Sequence, residues 1–359
     1  LNEMSRLVTQ ALTAGAVGFS TSRTIGHRAL DGSPVPGTFA PDQELSAIAQ
    51  AMRKAGRGVF EMIPAGTVGK LEGLGGERTT PEAELTLMAD FSRQSGRKVT
   101  FTLVQSPDYA PDTWERLLEM VVTANQTGAQ LFPQVPSRPI GLVSGLSGYH
   151  AFQRRPTYMK LTHLSLAERA REMAKPEVKA AIMSEGDVPV DQPGSMANMY
   201  QLFQNAAGFM YPLADPVDYE PDPSTMLGSR AASTGENVLS LLYDYMLEQN
   251  GAAMCALMGG ANVHESQEVL RKMLMHPETV TGLSDAGAHV TLICDATMPT
   301  TQLTFWARDR HLGERIPLEF LVAKQTSRNA DLYGLNDRGC LAVGLRADIN
   351  VIDFENLTV

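Results

Sequence analysis

The stretch that decides the fold is residues 81–104, PEAELTLMADFSRQSGRKVTFTLV. Its first part, Pro81–Gln94, has the pattern of a helix that opens on a proline, and Gly96 follows as a stop signal. The apolar run Val99–Val104 then predicts a buried strand. A helix that ends near a glycine and leads into a short apolar strand indicates a parallel sheet covered by helices.

The same unit recurs on both sides of this stretch. Three further copies have the order helix, glycine and strand: a helical stripe from Leu1 to near Gly15 with strand Ala16–Ser20, Pro41–Ala55 with Val59–Ile63, and Asp112–Asn125 with Gln130–Val135. A spacing of roughly 30 to 40 residues per unit favours a closed (β/α) barrel. A doubly wound open sheet has the same period and stays an alternative.

The composition excludes several classes of protein. The chain has 359 residues, 43% hydrophobic and 19% charged, which suits one barrel with an appendage. Lysine and arginine number 30 against 40 acidic residues, for a net charge of -10 without a dense basic cluster, so we expect no nucleic-acid partner. No apolar run approaches the roughly 18 residues of a membrane span. The cysteines, Cys255, Cys294 and Cys340, are too scattered for a disulfide framework or a paired-cysteine metal site, which indicates a reducing cytoplasm.

The barrel rhythm breaks in the middle of the chain. Residues 138–235 are rich in prolines, methionines and aromatic residues, which predicts a lid-like insertion over the barrel mouth, although the methionines suit ordinary core packing equally well. The rhythm resumes with helix Glu236–Gln249 and strand Ala252–Leu257, helix Ser266–Met275 and strand Thr279–Leu283, and a last helix at about Leu318–Leu332. In the tail after Gly339, the alternation of Ile349–Phe354 predicts β strands beside the barrel.

An acid, a glycine and a histidine follow the last of these strands. The segment Thr281–His289 ends an apolar strand with Asp285, Gly287 and His289. Catalytic groups of a barrel cluster at the carboxyl ends of its strands. Asp285 placed there could contact a divalent metal and carry a proton from water to a leaving amine. An Asx turn that merely ends the strand is the alternative, and the residues alone leave both open.

Several segments together resemble the amidohydrolase superfamily, in its N-acyl-D-amino-acid deacylase branch. Gly282–His289, Cys294–Thr301 and Trp306–Arg310 resemble the last barrel strand and the loop after it. The tail Gly339–Asp348 is similar to the strand pair that closes these enzymes, and Gly15–Ser22 resembles their fourth barrel strand. The resemblance runs over essentially the whole chain, and it rests on the order and spacing of these segments together.

This resemblance implies a TIM-type (β/α) barrel, with strands four to eight present, and part of a small β-sandwich. We therefore expect residues 1–137 to hold strands four to seven with their helices, and 138–235 to form the insertion. Residues 236–335 would complete the barrel with strand eight, and 336–359 would belong to a composite β-sandwich. The strand-one His-x-His pair of the family has no counterpart, so we expect the chain to be a fragment of a longer protein and inactive by itself.

The resemblance also assigns metal contacts. Asp285 matches the strand-eight aspartate that contacts the metal and acts first as general base and then as general acid. Strands five and six of the family usually present histidines, but the matching segments VFEMI (59–63) and TFTLVQ (100–105) contain none. Glu61 instead lies among apolar residues on strand five, where an unpaired charge is costly. It must be neutralised by a metal or by a basic partner such as an arginine, with a substrate contact as the third possibility.

Four further residues are candidates for substrate binding. Arg138, just past strand seven, could grip a substrate carboxylate with both arms of its guanidinium, or it could anchor the insertion to the barrel. His289 could orient the substrate or support Asp285, unless it only satisfies a turn. His27 and Arg28 follow strand four and could face the mouth, or they form a surface loop with a local ion pair to nearby Asp31.

The expected reaction is metal-dependent hydrolysis of a non-peptide amide C–N bond, in an N-acyl-D-amino acid or a related small amide. The cofactor would be a divalent metal, with zinc as the default by resemblance, since the residues present do not choose among zinc, manganese and iron. One alternative is a cyclic-amide or carbamoyl hydrolase of the same superfamily. Another is a metal-free, non-catalytic relative that serves in binding or assembly. The expected partner is a small-molecule substrate, and a homo-oligomeric state stays open.

Overall fold

The computed structural model describes residues 1–29, 31–192, 194–259, 266–284, 292–293 and 295–359. Its strands are β1 (Gly18–Ser22), β2 (Val59–Ile63), β3 (Val99–Thr102), β4 (Leu131–Pro136), β5 (Ile140–Gly145), β6 (Met210–Pro212), β7 (Met254–Gly259) and β8 (Val280–Gly282). Its helices are α1 (Asn2–Thr13), α2 (Asp42–Ala55), α3 (Pro81–Ser95), α4 (Thr113–Gln126), α5 (Pro156–Met159), α6 (Leu166–Met173), α7 (Pro176–Ser184), α8 (Met199–Ala206), α9 (Leu227–Thr234), α10 (Val238–Gly251), α11 (Glu268–Met275), α12 (Met298–Thr304), α13 (Leu318–Gln325) and α14 (Ser327–Tyr333).

The parallel sheet has five strands in the order β1-β2-β3-β4-β8. Phe19 lies beside Phe60, Val99 beside Leu131, and Gln134 beside Val280, with every pairing parallel. This is the order expected for five successive strands of a (β/α) barrel, so the predicted parallel sheet with outer helices is confirmed. Within the described residues, β1 and β8 do not pair with each other.

Capping residues in the sequence mark where helices of the parallel sheet begin and end, and α3 is an example. The side chain of Thr80 caps α3 by accepting a hydrogen bond from the Ala83 N–H, and Pro81 occupies the first turn. Gly96 then ends α3 with a left-handed φ of 65°, a conformation that favours glycine. The predicted helices of the first third are confirmed, since each observed boundary lies within about two residues of the expected one.

The main core lies between these helices and the sheet. Phe60 and Met62 of β2 are fully buried there, and the Phe60 ring stacks on that of Phe91 with centroids 3.9 Å apart. Burying each such side chain contributes roughly 1.5 to 3 kcal/mol. Because successive residues of a strand point to opposite faces, Val59 and Glu61 project from the other side of β2. We call that side, away from α2, α3 and α4, the inner face.

Helix α14, the last helix of the described chain, covers part of the inner face. The predicted helix Leu318–Leu332 is divided into α13 and α14 at Thr326. Leu332 of α14 packs against Val59 and Val280, which are the first residues of β2 and β8. Helix α14 therefore lies against the inner face at the amino ends of the strands, opposite the end where a barrel carries its active site.

A second, antiparallel sheet has the order β5-β7-β6 and packs with its own hydrophobic core. That core includes Phe152, Met173 and Phe203, from the segment predicted as an insertion, and Tyr243 of α10. We expected the barrel rhythm to resume with α10 and β7, whereas β7 pairs with β5 and β6 instead. A helix followed by an apolar strand reads the same in sequence whichever sheet the strand joins. The division of the chain into units at residues 137, 235 and 335 stays a prediction.

The predicted β strands of the tail are not found. Residues 336–359, all described, contain neither helix nor strand, and apolar side chains such as Val343 and Val351 are exposed. A strand exists only through hydrogen bonds to a neighbouring strand, and the tail has no such neighbour among the described residues. Instead the Arg308 guanidinium donates to the carbonyl oxygens of Phe354, Glu355 and Leu357. Membership of the tail in a β-sandwich stays a prediction.

None of the helices within the described residues combines the length and the apolar character that crossing a membrane requires.

Candidate active site

The carboxyl ends of the five parallel strands meet at one edge of the sheet, which we call the mouth. The strands end there at Ser22, Ile63, Thr102, Pro136 and Gly282. The predicted catalytic Asp285 and the predicted substrate contact His289 follow β8 directly in sequence, and both lie outside the described residues. Parallel strands present their carboxyl ends to the same crevice, so β8 leads the chain to the mouth immediately before Asp285.

Carboxylates join the loops that follow the first three strands. Glu77 lies in the loop after β2. It accepts hydrogen bonds from two residues of the loop after β1, the Thr24 hydroxyl at 2.6 Å and the Ile25 N–H at 3.2 Å. Asp108, in the loop after β3, accepts a hydrogen bond at 2.8 Å from the N–H of Lys70, in the loop after β2. Each loop is thereby fixed to the next, which gives this side of the mouth a defined shape.

A buried ion pair that the sequence analysis did not single out supports the same loops. Arg23 follows β1 and donates through Nε to Glu84 Oε2 at 2.9 Å and through Nη2 to Glu84 Oε1 at 3.1 Å. Glu84 also accepts from the Ala65 N–H, and its side chain is 2% exposed. The available signal was Glu84 itself, an acid one turn into the helix and next to the apolar position Leu85. The bidentate contact shows that the pair holds α3 against the end of β1.

Glu61 occupies the middle of β2 on the inner face. The register places it beside Ser20 of β1 and Thr100 of β3. Together with Ser20, Gln134 and Tyr333 it borders a cavity of about 400 Å³. Burial raises the pKa of the Tyr333 phenol, and the charge of Glu61 raises that pKa further. Glu61 therefore faces a partly polar space, where metal, ionic or substrate contacts all stay as predictions.

Gly282, at the end of β8, completes this part of the inner face. A Cβ at this position would lie 2.4 Å from Oε1 of Gln134. A carbon and an oxygen atom do not approach so closely without a shift, and the absence of a side chain at Gly282 leaves room for the Gln134 amide. The carboxyl end of β8 is thereby packed directly on a polar side chain of β4.

The two candidates after β1 lie in one loop. Nδ1 of the exposed His27 is 2.8 Å from the Ser22 hydroxyl oxygen, at the very end of β1. Arg28 donates through Nε to the Ile25 carbonyl oxygen at 2.7 Å, and its side chain packs beside Gly194 of the predicted insertion. Asp31 accepts from the N–H and hydroxyl of Ser33. The loop thus lies at the mouth, and substrate binding by His27 and Arg28 stays a prediction.

Arg138 is almost completely buried, at 2% exposure. Its Nη1 lies 2.6 Å from Oδ1 of Asp295 and 3.0 Å from the Pro139 carbonyl oxygen, and its Nη2 donates to the Thr297 hydroxyl at 3.0 Å. The guanidinium also lies over the ring of Tyr219, 5.0 Å from its centroid. Tyr219 belongs to the predicted insertion, so these contacts support the anchoring alternative. The role in substrate binding stays a prediction.

The described residues do not make a metal site by themselves. Across 1–29, 31–192, 194–259, 266–284, 292–293 and 295–359, no three histidine, cysteine, aspartate or glutamate side chains come close enough together to hold a metal ion. Of the two predicted metal contacts, Glu61 is described and Asp285 is not.

Comparison with known proteins gives the family. The sequence profile of the amidohydrolase family matches residues 2–359. No curated protein sequence matches the chain. The chain is similar in structure to an N-acyl-D-glutamate deacylase from Bordetella bronchiseptica, solved with zinc and a phosphonate inhibitor, at 19% identity and a TM-score of 0.46.

Two D-aminoacylase structures are also similar, each at 16% identity. One comes from work on a binuclear metal center, with a TM-score of 0.49, and the other, described as defining a novel subset of amidohydrolases, has a TM-score of 0.47. The matches cover 96% of this chain, but 55% of the deacylase and 54% of each D-aminoacylase, so the chain spans about half the length of these relatives. Since the family profile matches nearly every residue, the chain belongs to the amidohydrolase family.

Proposed function

We propose that the protein hydrolyses a non-peptide amide C–N bond, in an N-acyl-D-amino acid or a related small amide, with a divalent metal as cofactor. The observation that carries this proposal is the place of β8 in the parallel sheet. It pairs with β4 at the end of the order β1-β2-β3-β4-β8, and it ends at Gly282. In the sequence, Asp285 comes three residues after Gly282, so it would lie near the carboxyl ends of the five strands, where catalytic groups of barrel enzymes cluster.

The central role belongs to Asp285. Its carboxylate would accept a proton from the water that attacks the amide carbonyl, and would then deliver that proton to the departing amine nitrogen. Both transfers are needed, because an amine leaves readily only when its nitrogen is protonated. A divalent metal, zinc by resemblance, would supply Lewis acidity toward the water and the carbonyl.

The other proposed residues act on the metal or the substrate. Glu61 is proposed as a metal contact, with a buried ion pair as the alternative. His27, Arg28 and His289 are proposed to bind substrate. Of the two roles predicted for Arg138, its buried contacts favour anchoring of the insertion over substrate binding. The amino-acid carboxylate of such a substrate calls for a cationic side chain at the mouth, and Arg28, in the loop after β1, has no ion pair among the residues described.

The experiment is a substrate panel with metal analysis on the full-length protein that contains this chain. We expect release of free amino acid from N-acetyl-D-amino acids, weaker release from the L-enantiomers, and loss of activity on chelation with recovery on adding zinc. Hydrolysis of ring imides or carbamoyl compounds instead would favour the cyclic-amide alternative. Protein that binds no metal and cleaves none of these substrates would contradict the proposal and favour a non-catalytic relative.

A further inference from the structure

A buried ion pair connects the end of β4 to the segment that follows β8. Arg138 and Asp295 have side chains that are 2% and 0% exposed, with Nη1 and Oδ1 2.6 Å apart. Oδ1 of Asp295 also accepts a hydrogen bond from the Gly141 N–H at 3.2 Å, at the start of β5. A buried pair needs further hydrogen bonds to offset its desolvation, and Arg138 also donates to the Pro139 carbonyl oxygen and to the Thr297 hydroxyl.

The same short stretch of chain holds both ends of the segment that carries Asp285. At the upstream end, Gly282 of β8 pairs with Pro136 of β4. At the downstream end, Ile293 forms a β-bridge with Leu142 of β5, and Leu292 accepts a hydrogen bond from Val143 at 2.9 Å. Asp295 follows two residues later and is held by Arg138. Residues 136–143 thus fix the chain on either side of the proposed general base.

We propose that Arg138 and Asp295 are positioning residues for the proposed general base, and that they connect it to the antiparallel sheet. This inference rests on the proposed function. The pair would not touch the reacting atoms. It would set where the downstream end of the segment lies, and therefore how precisely Asp285 is held. Misplacement of a catalytic group by about 1 Å can cost roughly 100-fold in rate.

A second buried pair offers a matched control. Arg310 Nε lies 3.0 Å from Oε1 of Glu220, with side chains 2% and 3% exposed. This pair also connects the predicted insertion to the part of the chain after β8, because Glu220 lies within residues 138–235 and Arg310 follows β8. Glu220 has no hydrogen bond with residues 283–284, 292–293 or 295–297 among those described. Loss of this pair should destabilise the protein without moving the segment that carries Asp285.

The test compares Asp295→Asn, Arg138→Met and the double variant with Glu220→Gln, all in the full-length protein. We expect Asp295→Asn and Arg138→Met to lower kcat by roughly 10- to 100-fold with little change in KM. The double variant leaves no unpaired buried charge, so it should recover melting temperature relative to Arg138→Met but not kcat. Glu220→Gln should lower the melting temperature while kcat stays near the wild-type value.

Hydrogen exchange gives a readout that does not depend on activity. Amides in the peptide 283–294 should exchange faster in Asp295→Asn and Arg138→Met than in wild type or Glu220→Gln. If Asp295→Asn does not fold, Arg138→Lys, which keeps the charge but loses the second arm, takes its place. Unchanged exchange in this peptide would overturn the inference. So would a kcat that falls in proportion to the melting temperature in every variant, Glu220→Gln included. Wild-type protein without amide hydrolysis would defeat the proposed function, while the exchange result would still decide whether the pair fixes the segment.

Discussion

At the scale of single residues, the carboxylate of Glu61 matters most, because it projects from the inner face beside Ser20 and Thr100. The apolar residues around it in sequence predicted that its charge needs a partner. They could not say which partner, because that depends on side chains brought in from other strands. Arg23–Glu84 and Arg138–Asp295 illustrate the same difficulty, since each joins positions far apart in sequence.

Glu61→Gln in the full-length protein separates the two main assignments. As a metal contact, Glu61 supplies a hard oxygen ligand, so its loss should lower metal occupancy. As a buried ion-pair partner, its loss should leave occupancy unchanged and cost roughly 3 to 5 kcal/mol in the free energy of unfolding. We expect Glu61→Gln to lower metal occupancy. Bound-metal analysis and the melting temperature, measured together, distinguish this result from a loss of stability. Glu84→Gln is the control for the second, because Glu84 has its partner in Arg23. Full metal with a large loss of stability in Glu61→Gln would defeat the metal assignment.

His150 predicts a specific pH dependence of stability. Its ring is fully buried, Nδ1 accepts the Phe152 N–H at 3.1 Å, and burial, then the charge of Arg169, lowers its pKa to about 3. The folded state therefore holds the ring neutral, while the unfolded chain protonates it near pH 6.5. The stabilisation is complete above that pH and declines by about 1.4 kcal/mol per unit as pH falls toward 3.

Denaturant unfolding between pH 7.5 and pH 4.5 measures this effect. His150→Gln, which has no group that titrates in that range, should show a shallower loss of unfolding free energy on acidification than wild type. His163→Gln makes the same change at an exposed site and should follow the wild-type curve. Identical pH slopes for wild type and His150→Gln would show that the buried ring does not contribute.

At the scale of elements, the helix–glycine–strand units were predictable because local signals fix them. Prolines open and glycines close the helices, and short apolar runs form the strands between them. The partners of a strand are a different matter, and β7 shows why. Its run Met254–Gly259 fits either a parallel or an antiparallel sheet, and only its neighbours β5 and β6 decide. The tail has a strand pattern without a neighbouring strand among the described residues.

The close contact of β1 and β2 predicts an intolerance at Gly18. A Cβ at this position would lie 1.9 Å from the Val59 carbonyl oxygen, so the two strands would have to separate. We expect Gly18→Ala to lower the free energy of unfolding by roughly 1 to 3 kcal/mol. Gly73→Ala is the control, because nothing lies within 4 Å of a Cβ there. Equal stability of the two variants would contradict the observed packing of β1 against β2.

At the scale of the whole molecule, the described residues form two main hydrophobic cores, one between the parallel sheet and its helices and one around the antiparallel sheet. Buried polar contacts connect the predicted insertion and the end of β4 to the part of the chain after β8: Arg138 with Asp295, Arg310 with Glu220, and the Trp306 indole N–H with the Ser137 carbonyl oxygen at 2.6 Å. The sequence predicted the parallel sheet with its outer helices, and it placed Asp285 directly after the last strand. It could not reveal how the insertion attaches, since these contacts join residues more than 80 positions apart.

The role of Asp285 in the proposed reaction is tested most directly by the turnover of Asp285→Asn in the full-length protein. Asparagine keeps the size of the side chain but cannot accept the proton, so we expect the fold and melting temperature to be retained. Turnover of the best N-acyl-D-amino acid should fall by roughly 10² to 10⁴. Asp309→Asn, at an exposed site, should leave turnover unchanged. Near-normal turnover by Asp285→Asn would contradict the central claim that this aspartate is the general base and acid of the reaction.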